Sequence, residues 1–471
     1  MSETYDVVVI GAGAVAENVA DRAVQGGLTA VLVESELVGG ECSYWACMPS
    51  KVLLRAGHAA RAAERVGVKT AGVDPSQVFA RRTSFTHDWD DTSQVDWVDG
   101  AGIALVRGWG RITGEKRVTV TAADGSHHVL EARHAVVVST GSDPTLPDIP
   151  GLADASPWTP REATSASSAP ASLAIIGGGV VGCEMATAYA SFGTQVTLIS
   201  RGELLSGQEP FAGEAVGKAL QELGVGVLRG VSPESVARDG DRVSIVLSDG
   251  QTVVAEEVLV AAGRTPRTSD LGLESIGLEP GSWLDVDDTL LVKGFDWLYA
   301  TGDVNHRALL THQGKYQARA AGDVIAARAL GAPVDDAPWG THVATADHRS
   351  VPQVTFTDPE VASVGLTAAA AQEAGYETRV VDYDLGWVAG SSVQADGYSG
   401  TARMVVDEKR RVVLGVTFVG QDVAEMIHAA TIAVVGEVPL DRLWHAVPAY
   451  PTMNEVWLRL LETYGRPGSS A

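Results

Sequence analysis

The chain has 471 residues, too many for one ordinary core and in the range of two to four domains. It is 45% hydrophobic with 52 glycines and a formal net charge of −24, which reads as globular α/β and argues against nucleic acid or an anionic membrane as partner. No apolar span reaches membrane length, and three cysteines are too few for a disulfide-stapled secreted scaffold, so a reducing cytoplasm is the expected location.

The opening MSETYDVVVIGAG enters a strand directly, without the charged and apolar regions of a signal peptide. The apolar run Tyr5–Ile10 leads into Gly11-Ala12-Gly13-Ala14-Val15-Ala16, then an amphipathic helix pattern, then Ala30–Val33 ending at Glu34. This is a dinucleotide fingerprint with Ala16 at the third glycine position. Gly11 and Gly13 permit a tight turn and close approach to a pyrophosphate at a helix N-terminus, and Glu34 is spaced to meet a ribose hydroxyl.

Gly39 to Lys51 reads GGECSYWACMPSK, two cysteines with four residues between them. Cys42 is expected in a loop. Cys47, just ahead of Pro49, is expected at the start of a helix, where the positive end of the dipole lowers a thiol pKa. One turn can bring the two sulfurs to bonding distance as an easily reduced disulfide. A metal half-site or two buried thiols are the alternatives, but zinc would want a second Cys/His pair, and Cys183 lies within another motif.

Farther on, His87 to Gly102 is acidic and aromatic-rich and reads as a surface helix pair, with Trp89 and Trp97 as packing anchors. The run His134–Ser139 is a strand entering Thr140-Gly141-Ser142-Asp143-Pro144, a glycine turn of the kind that open sheets use for cofactors. Arg161 to Ala171 is Ser/Ala-rich and reads as a linker.

A second fingerprint follows: strand Leu173–Ile176, Gly177-Gly178-Gly179-Val180-Val181-Gly182, a helix through Phe192, and strand Gln195–Ile199. Two fingerprints imply two dinucleotides. Ser200 stands where Glu34 stood in the first unit, with Arg201 beside it, a pairing that suits a 2′-phosphate and so favours NADPH over NADH unless Arg201 is merely a surface side chain. Cys183 reads as a small buried hydrophobe. Glu257–Ala262 is a strand ending at Gly263-Arg264-Thr265-Pro266, and Leu298–Ala300 leads into Thr301-Gly302-Asp303. Asp303 could be a plain cap for the helical stretch 313–330. After about residue 345 the pattern changes to alternating strands, Pro352–Thr357 and Arg403–Asp407 with Val412–Val419, and to helices near 423–435 and 453–463. That is an antiparallel sheet backed by helices, followed by a flexible tail from Gly465 to Ala471.

These motifs, in colinear order from residue 5 to about 463, resemble the class I pyridine nucleotide–disulfide oxidoreductases, the flavoprotein family of dihydrolipoyl dehydrogenase, glutathione reductase and mercuric reductase. The family's GGTCLNVGCIPSK is matched by Gly39–Lys51, its Thr-Gly-Ser-x-Pro by 140–144, its GGGxIGxE by Gly177–Glu184 and its GRxPN by Gly263–Arg267. Its GDV is matched by Gly302–Val304 and its FTDPEIASVGLT by Phe356–Thr367. The resemblance implies an α/β fold of two Rossmann-like dinucleotide-binding domains plus a C-terminal α+β dimerisation domain. The expected bounds are 1–150 for FAD, with 280–340 returning to it, 151–279 for NAD(P)H, and 345–471 for the interface. It implies FAD on the first fingerprint, with Glu34 at the adenosine ribose and Asp303 on the ribityl side. Lys51, paired with Glu184, would lie near the reactive flavin nitrogen. Cys47 would be the charge-transfer thiol and Cys42 the interchange thiol facing substrate. It also implies a homodimer in which each C-terminal domain completes its partner's site.

The departures bear on substrate. Where the disulfide reductases have His-Pro-Thr-x-x-Glu, this chain has Tyr450-Pro451-Thr452-Met453-Asn454-Glu455, and tyrosine, with an ordinary pKa near 10, is a poor base at neutral pH. Setting His445 on the family histidine loses the Thr and Glu matches. Mercuric reductases share a tyrosine there but use a C-terminal cysteine pair, and the present chain reads GRPGSSA. Tyr44 and Trp45 replace asparagine and a small apolar residue and either line a substrate mouth or pack the loop. The expected activity is an NADPH- and FAD-dependent reductase of a quinone, a metal ion or an unusual thiol or disulfide. The alternatives are a dihydrolipoyl dehydrogenase of a multienzyme complex, which Ser200, Arg201 and Tyr450 oppose, and a nucleotide-bound redox sensor or docking protein.

Overall fold

Val7, Val8 and Val9 are fully buried, so the first strand has no solvent face and its unbroken apolar run is what a central parallel strand requires. In the computed structural model, which describes residues 2–466, this strand spans Ser2–Ile10. It pairs in parallel with Ala30–Glu34, Val7 opposite Ala30, and with His127–Val138, Val9 opposite Val137. Ala104–Arg107 extends the sheet on one side, and the antiparallel strands Trp109–Gly114 and Arg117–Thr121 on the other. Leu298–Ala300 adds to His127–Val138 in parallel, completing seven strands. The helix Ala14–Gln25 buries Ala16, Val19, Ala20 and Ala23, a stripe at helical spacing.

The chain divides into two compact units. The first runs through Pro49 and includes Thr83–Thr145 and Gly263–His348; it holds the seven-stranded sheet. The second holds Ser50–Arg82, Leu146–Ala262 and the chain from Arg349 onward. It contains a parallel sheet ordered Gly226–Arg229, Gln195–Ser200, Ser172–Ile176, Glu257–Val260, beside a three-stranded antiparallel sheet. It also contains a five-stranded antiparallel sheet ordered Pro352–Thr355, Glu360–Gly365, Val412–Gly420, Thr401–Asp407, Thr378–Asp384. Helices Ile427–Val435 and Val456–Tyr464 cover that sheet, with Trp457 edge-on to Phe418 at 6.3 Å between centroids. The architecture is thus α/β with two dinucleotide-type sheets and a C-terminal α+β sheet. Among the described residues no helix is long and apolar enough to cross a membrane.

Three local expectations change. The expected helix pair after His87 is one helix, Thr92–Gly100, preceded by a left-handed turn in which His87, Asp88 and Trp89 all have positive φ. That helix turns Val98 inward and leaves Trp97 44% exposed, outside the buried core, while Trp89 is half-buried. The expected linker at Arg161–Ala171 is helical in its first half, Pro160–Ser165, because Thr159 and Glu162 form a capping box with Pro160 in the first turn. Of the expected tail, the residues after Arg466 lie outside the described range.

Within the second unit, Arg61 and Arg65, at the end of the helix Cys47–Glu64, both bond Asp358, at 2.5 and 3.0 Å. Burial alone would raise this carboxyl, but the two guanidinium groups outweigh it and hold the group below its ordinary value. A carboxylate depressed on folding contributes stability that is present above its unfolded pKa, about 4, and lost as pH falls through the folded value. Asp358→Asn is therefore expected to cost roughly 3 kcal/mol or more at neutral pH by leaving two arginines facing no anion, and the deficit should shrink below about pH 4. Urea melts of both proteins across that range check the sign.

Candidate active site

Gly39 and Gly40 both have positive φ, +107° and +61°, which reverses the chain and starts a helical turn at once. Cys42 therefore lies on a short helix, Gly40–Tyr44, and not in the expected loop. Cys47 is the first residue of the helix Cys47–Glu64, as the Pro49 signal predicts, and is set at its positive end. Tyr44 is 1% exposed and its ring lies 5.7 Å from that of the half-buried Trp45, so Tyr44 is a packing residue.

Cys42 and Cys47 are both partly buried and lie within hydrogen-bond reach of each other. The Cys42 thiol is pushed far up, first by its hydrogen bond to Cys47, then by burial and by the negative charge on Cys47; Thr311 and Lys315 act in the opposite direction. Cys42 is therefore the harder of the two to ionise while Cys47 carries a charge. Thr311 Oγ1 lies 3.3 Å from Cys47 Sγ. No sequence signal near either cysteine points to Thr311, since the two are far apart in the chain.

Lys51 stands one helical turn beyond Cys47. Its Nζ is 2.8 Å from Glu184 Oε2 and sits over the Phe356 ring at 4.9 Å. The other oxygen of Glu184 accepts the Phe356 N–H at 2.9 Å. The pairing of Lys51 with Glu184 that the resemblance implies is present, and Phe356 joins it from the segment Phe356–Thr367.

The first glycine turn is closed by its own strand neighbours. A side chain at Gly11, whose φ is +105°, would strike Ser139 O at 2.5 Å. Glu34 accepts from Ala12 N at 2.7 Å and from Glu36 N at 2.8 Å, holding its carboxylate at the turn formed by Gly11, Gly13 and Ala16. Ser142 Oγ donates to Asp303 Oδ2 at 2.6 Å, so Asp303 is tied to the Thr140–Pro144 turn and does not cap the helix that begins at Thr311. Strand Arg264–Pro266, which Gly263 precedes at φ +130°, pairs with Ser142–Pro144. Thr140 Oγ1 is buried with no hydrogen-bond partner among the described residues, and nothing lies within 4 Å of the place a side chain on Gly141 would occupy. An orphaned hydroxyl beside open space at a glycine turn fits a polar ligand, as a dinucleotide would be.

In the second unit, a side chain at Gly182 would strike Gly177 O, which fixes the close strand-to-helix turn, whereas none would meet anything within 4 Å at Gly179. Ser200 is buried at the end of its strand, and Arg201 is exposed. Cys183 is fully buried, its thiol pushed up to about 12 by burial. Tyr450 is 76% exposed, while Glu455, close by in sequence, is buried and bonded to Arg459. His445 is exposed. Among the described residues no group of three or more His, Cys, Asp and Glu side chains could hold a metal ion.

The family model described as pyridine nucleotide-disulphide oxidoreductase matches residues 5–322, and its dimerisation-domain model matches 351–460. A mercuric reductase of Staphylococcus aureus is 30% identical over 461 residues, covering 96% of this chain and 81% of the relative. A dihydrolipoyl dehydrogenase of Haloferax volcanii is 32% identical over 482 residues, covering 97% and 95%. Among solved structures, the HOCl-induced flavoprotein disulfide reductase RclA of Escherichia coli, as a Cu(II) complex, aligns with a TM-score of 0.83 at 22% identity, covering 98% of this chain and 99% of that one. LpdA of Mycobacterium tuberculosis aligns with a TM-score of 0.82 at 24% identity, covering 98% and 100%.

Because the charge on Cys47 and its hydrogen bond hold the Cys42 thiol up, Cys47→Ser should lower the pH at which Cys42 ionises, toward the ordinary thiol value near 8.5. The pH profile of iodoacetamide labelling at Cys42 in the reduced protein, read by mass spectrometry, checks this; an unchanged midpoint would contradict the assigned asymmetry.

Proposed function

Since the chain belongs to the pyridine nucleotide-disulphide oxidoreductase family, we propose that it is an NADPH-dependent flavoprotein in which Cys42 and Cys47 cycle between disulfide and dithiol to reduce a small-molecule acceptor. The acceptor class is a quinone, a metal ion or an unusual thiol or disulfide. FAD, when bound, supplies the two-electron exchange between nicotinamide and sulfur. Gly11, Gly13, Ala16, Glu34, Thr140, Gly141 and Asp303 would hold it, with Gly263 beside them in the first unit. Gly177, Gly179, Gly182, Ser200 and Arg201 would hold NADPH. In this reading residues 1–150 with 280–340 serve FAD, 151–279 serve NADPH, and 345–471 pair with a second copy of the chain. The exposed Ile432, Val447 and Tyr450 support that pairing, since at 57%, 85% and 76% exposure they are a poor match to water on a single chain.

Opening the disulfide takes two electrons. With Cys42 keeping its proton and Cys47 carrying the charge, it takes up one proton, so Cys47 is the proposed electron-side thiolate and Cys42 the proposed acceptor-side thiol. Lys51 is the proposed cation at the reducing end, oriented by Glu184.

The observation that carries the choice of acceptor is the segment Tyr450–Glu455. A disulfide acceptor needs Cys42 deprotonated for attack and the departing sulfur protonated, work suited to a histidine near neutral pH. Tyr450 can donate a proton but is a weak base, and Glu455, at the position of the glutamate that orients the histidine in the disulfide reductases, is engaged by Arg459. The mercuric reductase relatives support a metal ion among the acceptors.

Two outcomes test this reading. NADPH should be used more efficiently than NADH, by roughly tenfold to more than a hundredfold for one charge-assisted phosphate contact, and Arg201→Ala should remove most of the difference in kcat/KM. Equal use of the two coenzymes by the unmodified protein would overturn the assignment of Ser200 and Arg201. Glutathione disulfide and lipoamide should be poor substrates, because general acid–base help is worth roughly 10²–10⁴-fold. Tyr450→His should raise their reduction while Tyr450→Phe scarcely changes quinone reduction, with sedimentation confirming that neither variant alters assembly. Efficient lipoamide turnover by the unmodified protein would favour a dihydrolipoyl dehydrogenase instead.

A further inference from the structure

Lys315 is absorbed by none of the sequence motifs, yet it lies on the helix Thr311–Leu330 one turn beyond Thr311, whose hydroxyl is 3.3 Å from Cys47 Sγ. Residues four apart on a helix share a face, with Cβ atoms about 5–6 Å apart, so the lysine stem rises beside the residue that touches the redox pair. The same helix turns Gln313 and Gln317 to another side, where their amides donate to Asp347 at 2.6 and 2.9 Å. That acid is therefore occupied elsewhere. Lys315 is half-buried and has no salt bridge among the described residues.

A half-buried ammonium wants an anion. Among the groups that feel its charge are Glu17, on the helix Ala14–Gln25, and Cys42, whose ionisation it favours as the last of the effects acting on that thiol. Glu17 is pushed up to about 7 by burial, with Glu34 adding to the rise and Lys315 opposing it, and its Oε1 is buried without a partner among the described residues. A carboxyl that titrates near neutrality is an incomplete counter-ion there. Reduction of the cysteine pair develops a further anion within reach of the Lys315 charge.

We propose that Lys315 is a positioning residue of the redox pair: its ammonium holds the negative charge that appears on the sulfurs when the disulfide opens. Charge compensation thus comes from the same chain, from a helix that also supplies Thr311, and does not depend on the segment around Tyr450. The proposal rests on the reading that Cys42 and Cys47 cycle between disulfide and dithiol.

The test uses the flavin-loaded protein reduced with NADPH, comparing the unmodified chain with Lys315→Met, Lys315→Gln and Lys315→Arg. Thiol counting after denaturation should give two more thiols in the reduced than in the oxidised form of each. The pH profile of iodoacetamide labelling, resolved for Cys42 and Cys47 by mass spectrometry, should move upward by roughly one pH unit in the Met and Gln variants, as expected for losing one nearby opposite charge, and stay in place in the Arg variant. Superimposable profiles with two new thiols formed would overturn the role of Lys315 and leave the redox pair standing. Loss of FAD from the Met and Gln variants with unmoved thiol profiles would assign the ammonium to the cofactor and likewise overturn it. Absence of new thiols in the unmodified protein would overturn the cycling pair and the proposal with it.

Discussion

The ion pair between Lys51 and Glu184 is the contact on which the second unit's site depends. Glu184 is almost wholly buried, so its charge must be answered within the fold: one oxygen by Lys51, the other by the Phe356 N–H. Three stretches distant in sequence meet there: the helix that opens at Cys47, the helix of the second glycine turn, and the segment leading into strand Glu360–Gly365. Taking away one partner of such a pair leaves an unpaired buried charge, which is far more costly than the net worth of the pair itself. Arg61, Arg65 and Asp358 repeat the arrangement farther along the same helix, so that helix is pinned at two points by charge as well as by the apolar contacts of Leu53 and Leu54.

The cysteine pair follows a different logic. Its two sulfurs are chemically alike, and what separates them is placement: Cys47 begins a long helix, whereas Cys42 sits on a short preceding turn and its thiol is pushed up by Cys47 and by burial, with Thr311 in reach of both. A pair whose two thiols differ in placement and in ease of ionisation can be directional, and the proposed electron-side and acceptor-side roles rest on that difference. The segment Tyr450–Glu455 belongs to this argument because it lacks a neutral-pH base, which shifts the expected acceptor away from ordinary disulfides.

Both glycine turns were legible in the sequence because their requirement is local. A positive φ or a missing Cβ is needed at fixed positions within a few residues, as at Gly11 and Gly182, and the acid or serine at the end of the next strand follows by strand and helix length alone. The Cys42–Cys47 spacing and the helix start at Cys47 were legible for the same reason. Short-range signals were also missed where they competed with composition: the Thr159–Glu162 capping box hid within a Ser/Ala-rich stretch, and the two glycines before Cys42 read as a loop although they begin a helical turn.

By itself, then, the sequence determined the α/β class, the two dinucleotide turns, the redox spacing, the family and the departure at Tyr450, all of which rest on residue identity at short separations. The tertiary structure alone decided which partners meet across long separations: Thr311 with Cys47, Phe356 with Glu184, Asp358 with Arg61 and Arg65, and Ser142 with Asp303. It also decided which of two adjacent aromatic residues packs inward at Tyr44 and that Val98, not Trp97, enters the core. The physical reason is that burial and charge pairing are properties of the folded neighbourhood. A residue's own type and spacing constrain its backbone, but the group that answers its charge or covers its ring is supplied by chain segments that only folding brings near.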